Sequence, residues 1–398
     1  MGDAVTASPA RIEQALVVSA LVVLALGALD LGRALLDPAT VVTSDFAVFR
    51  AGGSIVLAGG DPYDRAAQEA AMAHVLGTER EGGHLAFLLP PHAAMLFAPL
   101  AAMPLGLAFA VFGLLSASCL ARLVVVLAEL AGADRRLVAI VVVALGSVAS
   151  TFRLGQLAIL LSLLLAELAR AVRDGRDVRT GVALGLLSLK PPFVPIALAY
   201  LAGARRWRAL GIAAATVLAL ALPTLGVLGP DAWLRWATQL GGLENAFAVA
   251  TPPYMVCFRG TLARLLGDPE RRALTSGIAW AAFLVVAGLA FALGRSRPGP
   301  RPFTLAVALG LLFSPHLFFH DLLAWSVPIA LARGSAGADG RRPWVRLALA
   351  APVALFVAAA VEPALGMLLP VAPQLLIPLA ATERLVRERR ARNTAPAT

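Results

Sequence analysis

Charge is scarce in this sequence. Asp, Glu, Lys and Arg together make up 15% of its 398 residues, against roughly 25% in ordinary soluble domains. Apolar side chains make up 59%. No soluble fold of this size can hide that much apolar surface, so lipid must take part of it. Cysteine is nearly absent: Cys119 sits in an apolar run and Cys257 in a predicted loop. Their separation gives no reason to pair them, and they lack metal-ligand spacing. A Walker loop, a dinucleotide-binding glycine fingerprint, a G-x-S-x-G elbow and an H-E-x-x-H helix are also missing, and the chemistries they carry are missing with them. No soluble domain, low-complexity linker or clean internal repeat breaks the apolar pattern.

The charge that remains is ordered. Apolar runs recur from Ala15 to Ala381, several near the ~20 residues that span a bilayer. The net charge of +10 would suit a nucleic-acid partner, but a basic face needs a soluble domain to carry it. The arginines instead cluster between the apolar runs, at Arg135–Arg136, Arg170–Arg179, Arg205–Arg208, Arg295–Arg301, Arg333–Arg346 and Arg384–Arg392. Such clusters mark the cytoplasmic side of a membrane. Ala15–Ala28, after Arg11, lacks a small-residue cleavage site followed by a soluble domain and reads as an uncleaved signal anchor.

Between successive clusters there is room for one trip out and back, in several cases with legs of roughly 10–15 residues, which suits half-spans dipping into a protein-lined cavity. The tips facing outward are then Thr151–Gln156, Lys190–Pro192, residues 229–272, Ser314–Asp321 and Glu362–Pro363. The expected fold is an all-α polytopic membrane bundle of about 11–13 transmembrane or half-spanning helices. It forms a single domain over residues 1–382, with a helical first extracytoplasmic loop at 37–85, a long extracytoplasmic loop at 229–272 and a basic cytoplasmic tail at 383–398. It would lie in the inner or plasma membrane with its polar face outside. Between Gly83 and Arg135 the number of crossings must be odd, yet Phe87–Met103 and Leu105–Leu130 are both apolar. Pro90, Pro91, Pro99 and Pro104 make the first a broken, partly inserted segment.

Few polar residues on the outer face are candidates for chemistry. Asp45 lies just beyond the first helix. A carboxylate at the mouth of an apolar cavity is partly stripped of water and suited to accept a proton; alternatively Thr43, Ser44 or Asp45 caps the next helix. Asp61 and Tyr63 belong to Gly59-Gly-Asp-Pro-Tyr-Asp64, which reads either as a turn alone or as a turn whose side chains touch a polar ligand. Lys190 is the one lysine beside 33 arginines. At membrane depth it suits a phosphate as a point charge, or it snorkels to the surface. Arg153 and Gln156 occupy another tip, where Arg153 pairs with a lipid phosphate or anchors the interface. His316 and His320 stand four apart, on one face if helical. They lack a recognisable third metal ligand, so phosphate or sugar contact, or a capping role, is the expectation. Asp321 would orient one of them. Glu129, Glu167 and Glu362 touch apolar runs and receive no chemical role.

Short pieces in fixed order complete the picture: Ser44-Asp-Phe-Ala-Val-Phe49, Ala58-Gly-Gly-Asp-Pro-Tyr-Asp64, Leu89-Pro-Pro91, Ala98-Pro-Leu100, Met103-Pro104, Leu154-Gly-Gln156, Gly181 to Lys190-Pro191, Ser314-Pro315 and His320-Asp-Leu322. Together they resemble glycosyltransferase family 87, polyprenol-phosphate-sugar-dependent transferases of the GT-C fold that include mycobacterial mannosyltransferases. His320-Asp321 departs from relatives with tyrosine-aspartate or paired histidines there. The resemblance implies a GT-C-like bundle in which Asp45 takes the place of the catalytic carboxylate. It implies an inverting transfer of a hexose, mannose by default, from a polyprenyl-phosphate carrier to a lipid or glycan acceptor. Lys190, with His316 or His320 and Arg153, would stabilise the leaving phosphate, and neither metal ion nor cofactor is expected. Expected partners are membrane lipid, the lipid-linked donor and the acceptor, and not nucleic acid. The rival is a transporter or flippase of lipid-linked sugars, which would carry paired repeats and polar residues on both faces. A structural subunit of an envelope complex is a third reading.

Overall fold

The computed structural model describes residues 9–41, 44–76, 86–250, 255–266 and 272–335. Among them lie fifteen α-helices: α1 (Pro9–Leu36), α2 (Asp45–Leu57), α3 (Arg65–Leu76), α4 (Pro91–Ala101), α5 (Leu105–Ala131), α6 (Arg135–Val143), α7 (Gly146–Leu154), α8 (Ala158–Arg173), α9 (Asp177–Leu186), α10 (Pro195–Gly203), α11 (Trp207–Ala250), α12 (Phe258–Leu266), α13 (Arg272–Ser296), α14 (Pro300–Leu312) and α15 (Ser326–Ser335). No named strand occurs among the described residues. The expected tip at Glu362–Pro363 and the tail at 383–398 lie outside them.

Among the described residues, four helices are long and apolar enough to cross a bilayer: Val17–Leu36, Leu105–Ala131, Trp207–Gln239 and Ala273–Ser296. Their outward faces are apolar, as with Leu284 at 67% and Val285 at 71% exposure, which suits contact with lipid. The protein is an all-α polytopic membrane protein. α6 and α7 form a pair bent by 61°. α9 and α10 have 10 and 9 residues, about 15 Å each at 1.5 Å per residue, half a membrane's thickness. These are the short legs the arginine spacing called for.

Two polar layers close the ends of the bundle. One is rich in arginine. Arg122 pairs with Glu167 at 2.7 Å, and Arg170 pairs with Glu129 at 2.9 Å and Glu167 at 2.6 Å. Arg206 holds Asp177 at 2.5 Å, joining the starts of α11 and α9. Arg333, ending α15, donates to the carbonyls of Ala131 and Gly132 at the end of α5. Glu129 and Glu167 therefore serve as counter-ions to arginines. The other layer gathers the chain reversals at 155–157, 187–194 and 313–325. Close approach between helices rests on glycine: a Cβ on Gly203 or Gly294 would lie 2.0–2.1 Å from a carbonyl oxygen of the facing helix.

Two expectations are refined. α4 has 11 residues, about 17 Å long, and packs on α2, where a Cβ on Gly53 would meet the Phe97 backbone at 2.6 Å. Among the described residues between Gly83 and Arg135, α5 is thus the one helix of crossing length. Within 229–272, most of the described residues are helical. α11 continues to Ala250 and α12 comes after it. Gly229, at φ 71°, breaks the helix axis, and Pro230 is suited to the first turn of the resumed helix.

Candidate functional site

α2 brings Asp45 to the site. Ser44 is the N-cap: its hydroxyl oxygen accepts from the Ala47 N–H at 3.4 Å and its O–H donates to the Val41 carbonyl. Asp45 is then the first helical residue, so its carboxylate is released from capping. Gln156 Nε2 donates to Asp45 Oδ2 at 2.7 Å. Gly155 makes this possible. It ends α7 at φ 63°, and a Cβ there would lie 2.4 Å from Phe46 Cβ. Only glycine tolerates both the left-handed backbone and the close approach.

The second cluster joins the 187–194 reversal to the 313–325 reversal. Lys190 Nζ donates to both oxygens of Asp321, at 2.5 and 2.6 Å. Asp321 is wholly buried and also accepts from the Phe318 N–H at 3.0 Å. Burial pushes its carboxyl up, but Lys190, His320 and the donated hydrogen bonds outweigh this and hold it below the usual carboxylate range. His320 Nε2 lies 3.6 Å from Asp321 Oδ2. Burial and then Lys190 lower the His320 imidazole, while Asp321 and Asp45 act in the opposite sense. Asp45 is thus near enough to His320 to act on its charge.

His316 and His320 do not share a helical face. Pro315 blocks helix at this point, and the chain bends at Pro315–His316 before the 3-10 turn Phe319–Trp325. It bridges Met255 antiparallel at Phe318, with the Val256 N–H donating to the Leu317 carbonyl at 2.8 Å. The Phe318 ring meets His316 edge-on at 4.7 Å and stacks on His320 at 5.8 Å. Burial first, then Lys190 and Arg259, push the His316 imidazole down to about 3. Both rings are therefore neutral N–H donors at physiological pH. Among the described residues no three His, Cys, Asp or Glu side chains group as a metal site.

The remaining candidates are dispersed. Arg153 is exposed on the last turn of α7. Asp61 accepts from the Tyr63 N–H at 2.9 Å and pairs with Arg235. Tyr63 is buried and donates its O–H to the Leu89 carbonyl at 2.6 Å; burial and then Asp61 push its phenol up. With Gln68, which accepts from the Phe87 N–H at 3.1 Å, and Trp236, which donates to the Leu88 carbonyl at 3.1 Å, this pair clamps the strand-like approach to α4. The sequence reading missed Arg259, whose Nη2 donates to Ser276 Oγ at 2.9 Å and Nη1 to the Pro315 carbonyl at 3.3 Å. Its one signal was an arginine outside every cluster. It also missed His92, a histidine inside an apolar run after Pro90-Pro91.

Known proteins share much of this sequence. The profile of glycosyltransferase family 87 matches residues 87–315. The chain is 29% identical over 253 residues to a polyprenol-phosphate-mannose-dependent alpha-(1-2)-phosphatidylinositol pentamannoside mannosyltransferase of Mycolicibacterium smegmatis, covering 62% of this chain and 60% of that one. It is 31% identical over 257 residues to the protein of the same description in Mycobacterium tuberculosis, covering 62% and 58%. The match thus spans about three-fifths of each relative. No solved structure matches the chain.

Proposed function

Because the chain belongs to glycosyltransferase family 87, we propose that it moves a hexose, mannose by default, from a polyprenyl-phosphate carrier to a lipid or glycan acceptor on the outer face of the membrane. The observation that carries this reading is Asp45: relieved of capping by Ser44, fixed by Gln156, and near enough to His320 of the Lys190–Asp321–His320 cluster to act on its charge. Asp45 takes the proton of the acceptor hydroxyl as that oxygen attacks the anomeric carbon. The bond from that carbon to the phosphate oxygen breaks, and the carrier phosphate leaves with the electron pair. Lys190 and Arg259 supply positive charge beside it, and His316 and His320 supply neutral N–H donors. The leaving group departs as a phosphate already anionic, so this reading assigns its charge to side chains and needs no metal or cofactor. The two relatives' names specify polyprenol-phosphate-mannose as donor, which supports the lipid-linked donor here.

Asp45→Asn tests the reading. It preserves shape and removes the proton acceptor, and loss of general-base help costs about 10²–10⁴ in rate. Transfer from polyprenyl-phosphate mannose to crude membrane lipid acceptor should fall by that much, with donor affinity kept. Near-normal transfer by the variant would remove Asp45 from catalysis.

A further inference from the structure

A third polar cluster lies where α4, the 187–194 reversal and the part of α11 beyond Gly229 meet. His92, the second residue of α4, is 3% exposed. Its Nε2 is 3.4 Å from Ser188 Oγ, two residues before Lys190. Its ring stacks on Trp233 with centroids 5.7 Å apart at 26°, and Trp233 meets Trp236 edge-on at 5.9 Å. Among the described residues, His92 Nδ1 and Trp233 Nε1 are both buried without a hydrogen-bond partner. Buried indole N–H and imidazole nitrogens ordinarily find partners, and native structures keep such orphans for a reason. Two on one stacked pair, beside the turn that carries Lys190, form a gap in the hydrogen bonding of this layer.

The chemistry of the gap selects its occupant. The indole offers only a donor. Burial holds the His92 imidazole down at about 4, so it is neutral and its Nδ1 is an acceptor or a donor according to the tautomer. A phosphate oxygen can only accept and an ammonium can only donate, whereas hydroxyls do both. We infer that His92, Trp233 and Ser188 form a subsite for the hydroxyl groups of a hexose ring. This deepens the sugar-transfer reading above and rests on it. The hexose can come from the donor or from the acceptor's terminal residue.

The test uses purified full-length protein and the variants Trp233→Phe and His92→Leu, which remove the orphan atoms and keep apolar bulk. Calorimetric titrations take three probes: short-chain polyprenyl-phosphate mannose, the same polyprenyl phosphate without sugar, and methyl mannoside. Each variant should weaken a sugar-bearing probe about three- to tenfold, the size of one lost hydrogen bond, with the sugar-free phosphate unchanged. Loss confined to the sugar phosphate assigns the donor's ring; loss confined to methyl mannoside assigns the acceptor's. Without ligand, both variants should unfold at or above the wild-type temperature, because each removes an unsatisfied buried atom. Unchanged binding of all probes, as when the gap holds only water, would overturn the subsite. So would equal weakening of the sugar-free phosphate, or a lower unfolding temperature in both variants. Wild-type protein that binds no probe would overturn the donor reading and the subsite with it.

Discussion

At the scale of single residues, the structure gives Lys190 a second tie. Sequence placed it as a point charge for phosphate; the structure gives it a buried counter-ion in Asp321. Removing one partner of a buried pair leaves an uncompensated charge and costs about 3–5 kcal/mol. Lys190→Met should therefore lower stability by that order, and Lys190→Met with Asp321→Asn should recover most of it. Urea or thermal unfolding of both variants in detergent measures the difference. Loss of donor use without loss of stability would show instead that Lys190 serves the substrate alone. The histidines make a separate prediction. His92, His316 and His320 all have folded-state values below the ordinary imidazole value, so the unfolded chain binds more protons. Their contribution is present above the ordinary value of about 6.5 and is lost as pH falls toward the depressed values, about 3 for His316. The unfolding temperature should drop between pH 7 and pH 4, and His316→Gln should reduce the slope.

At the scale of elements, the contact between α7 and α2 sets the site. Gly155 has a positive φ and no room for a Cβ beside Phe46. Gly155→Ala forces either the turn or α2 to move, and should cost more than the ~1 kcal/mol typical of a single substitution. It should also lower transfer, because Gln156 would no longer reach Asp45. Gln156→Ala should lower transfer while leaving stability nearly unchanged. Measuring kcat and unfolding temperature on both variants separates positioning from packing. If Gln156→Ala transfers at the wild-type rate, the 2.7 Å contact is incidental.

At the scale of the whole molecule, orientation is the open physical variable. The arginine-rich layer and the layer bearing Asp45 close opposite ends of the bundle. Positive-inside bias predicts that the first faces the cytoplasm. Arg153 and Arg176 are exposed, one at each end. In a background without Cys119 and Cys257, Arg153→Cys should label with an impermeant thiol reagent on intact cells, and Arg176→Cys should label only after permeabilisation. The reverse pattern would place catalysis on the cytoplasmic side.

The sequence alone determined the class of this protein, because apolar run length and charge position act locally. A run near twenty residues has to meet lipid, and clustered arginines have to lie at its ends. It also carried the motif pieces, because Ser44-Asp45, Gly155-Gln156 and Lys190-Pro191 are contiguous chain. It could not tell which of Thr43, Ser44 and Asp45 caps α2, since all three side chains can do so; the path of the backbone into the helix chose Ser44. Nor could it show that residues 229–272 hold helices, because Gly229-Pro230 signals a break whether or not helix resumes beyond it. The pairings Asp45–Gln156 and Lys190–Asp321 join residues 111 and 131 positions apart. No periodicity reaches that far; only the packing of short half-spanning helices brings those carboxylates, the amide and the ammonium into one layer.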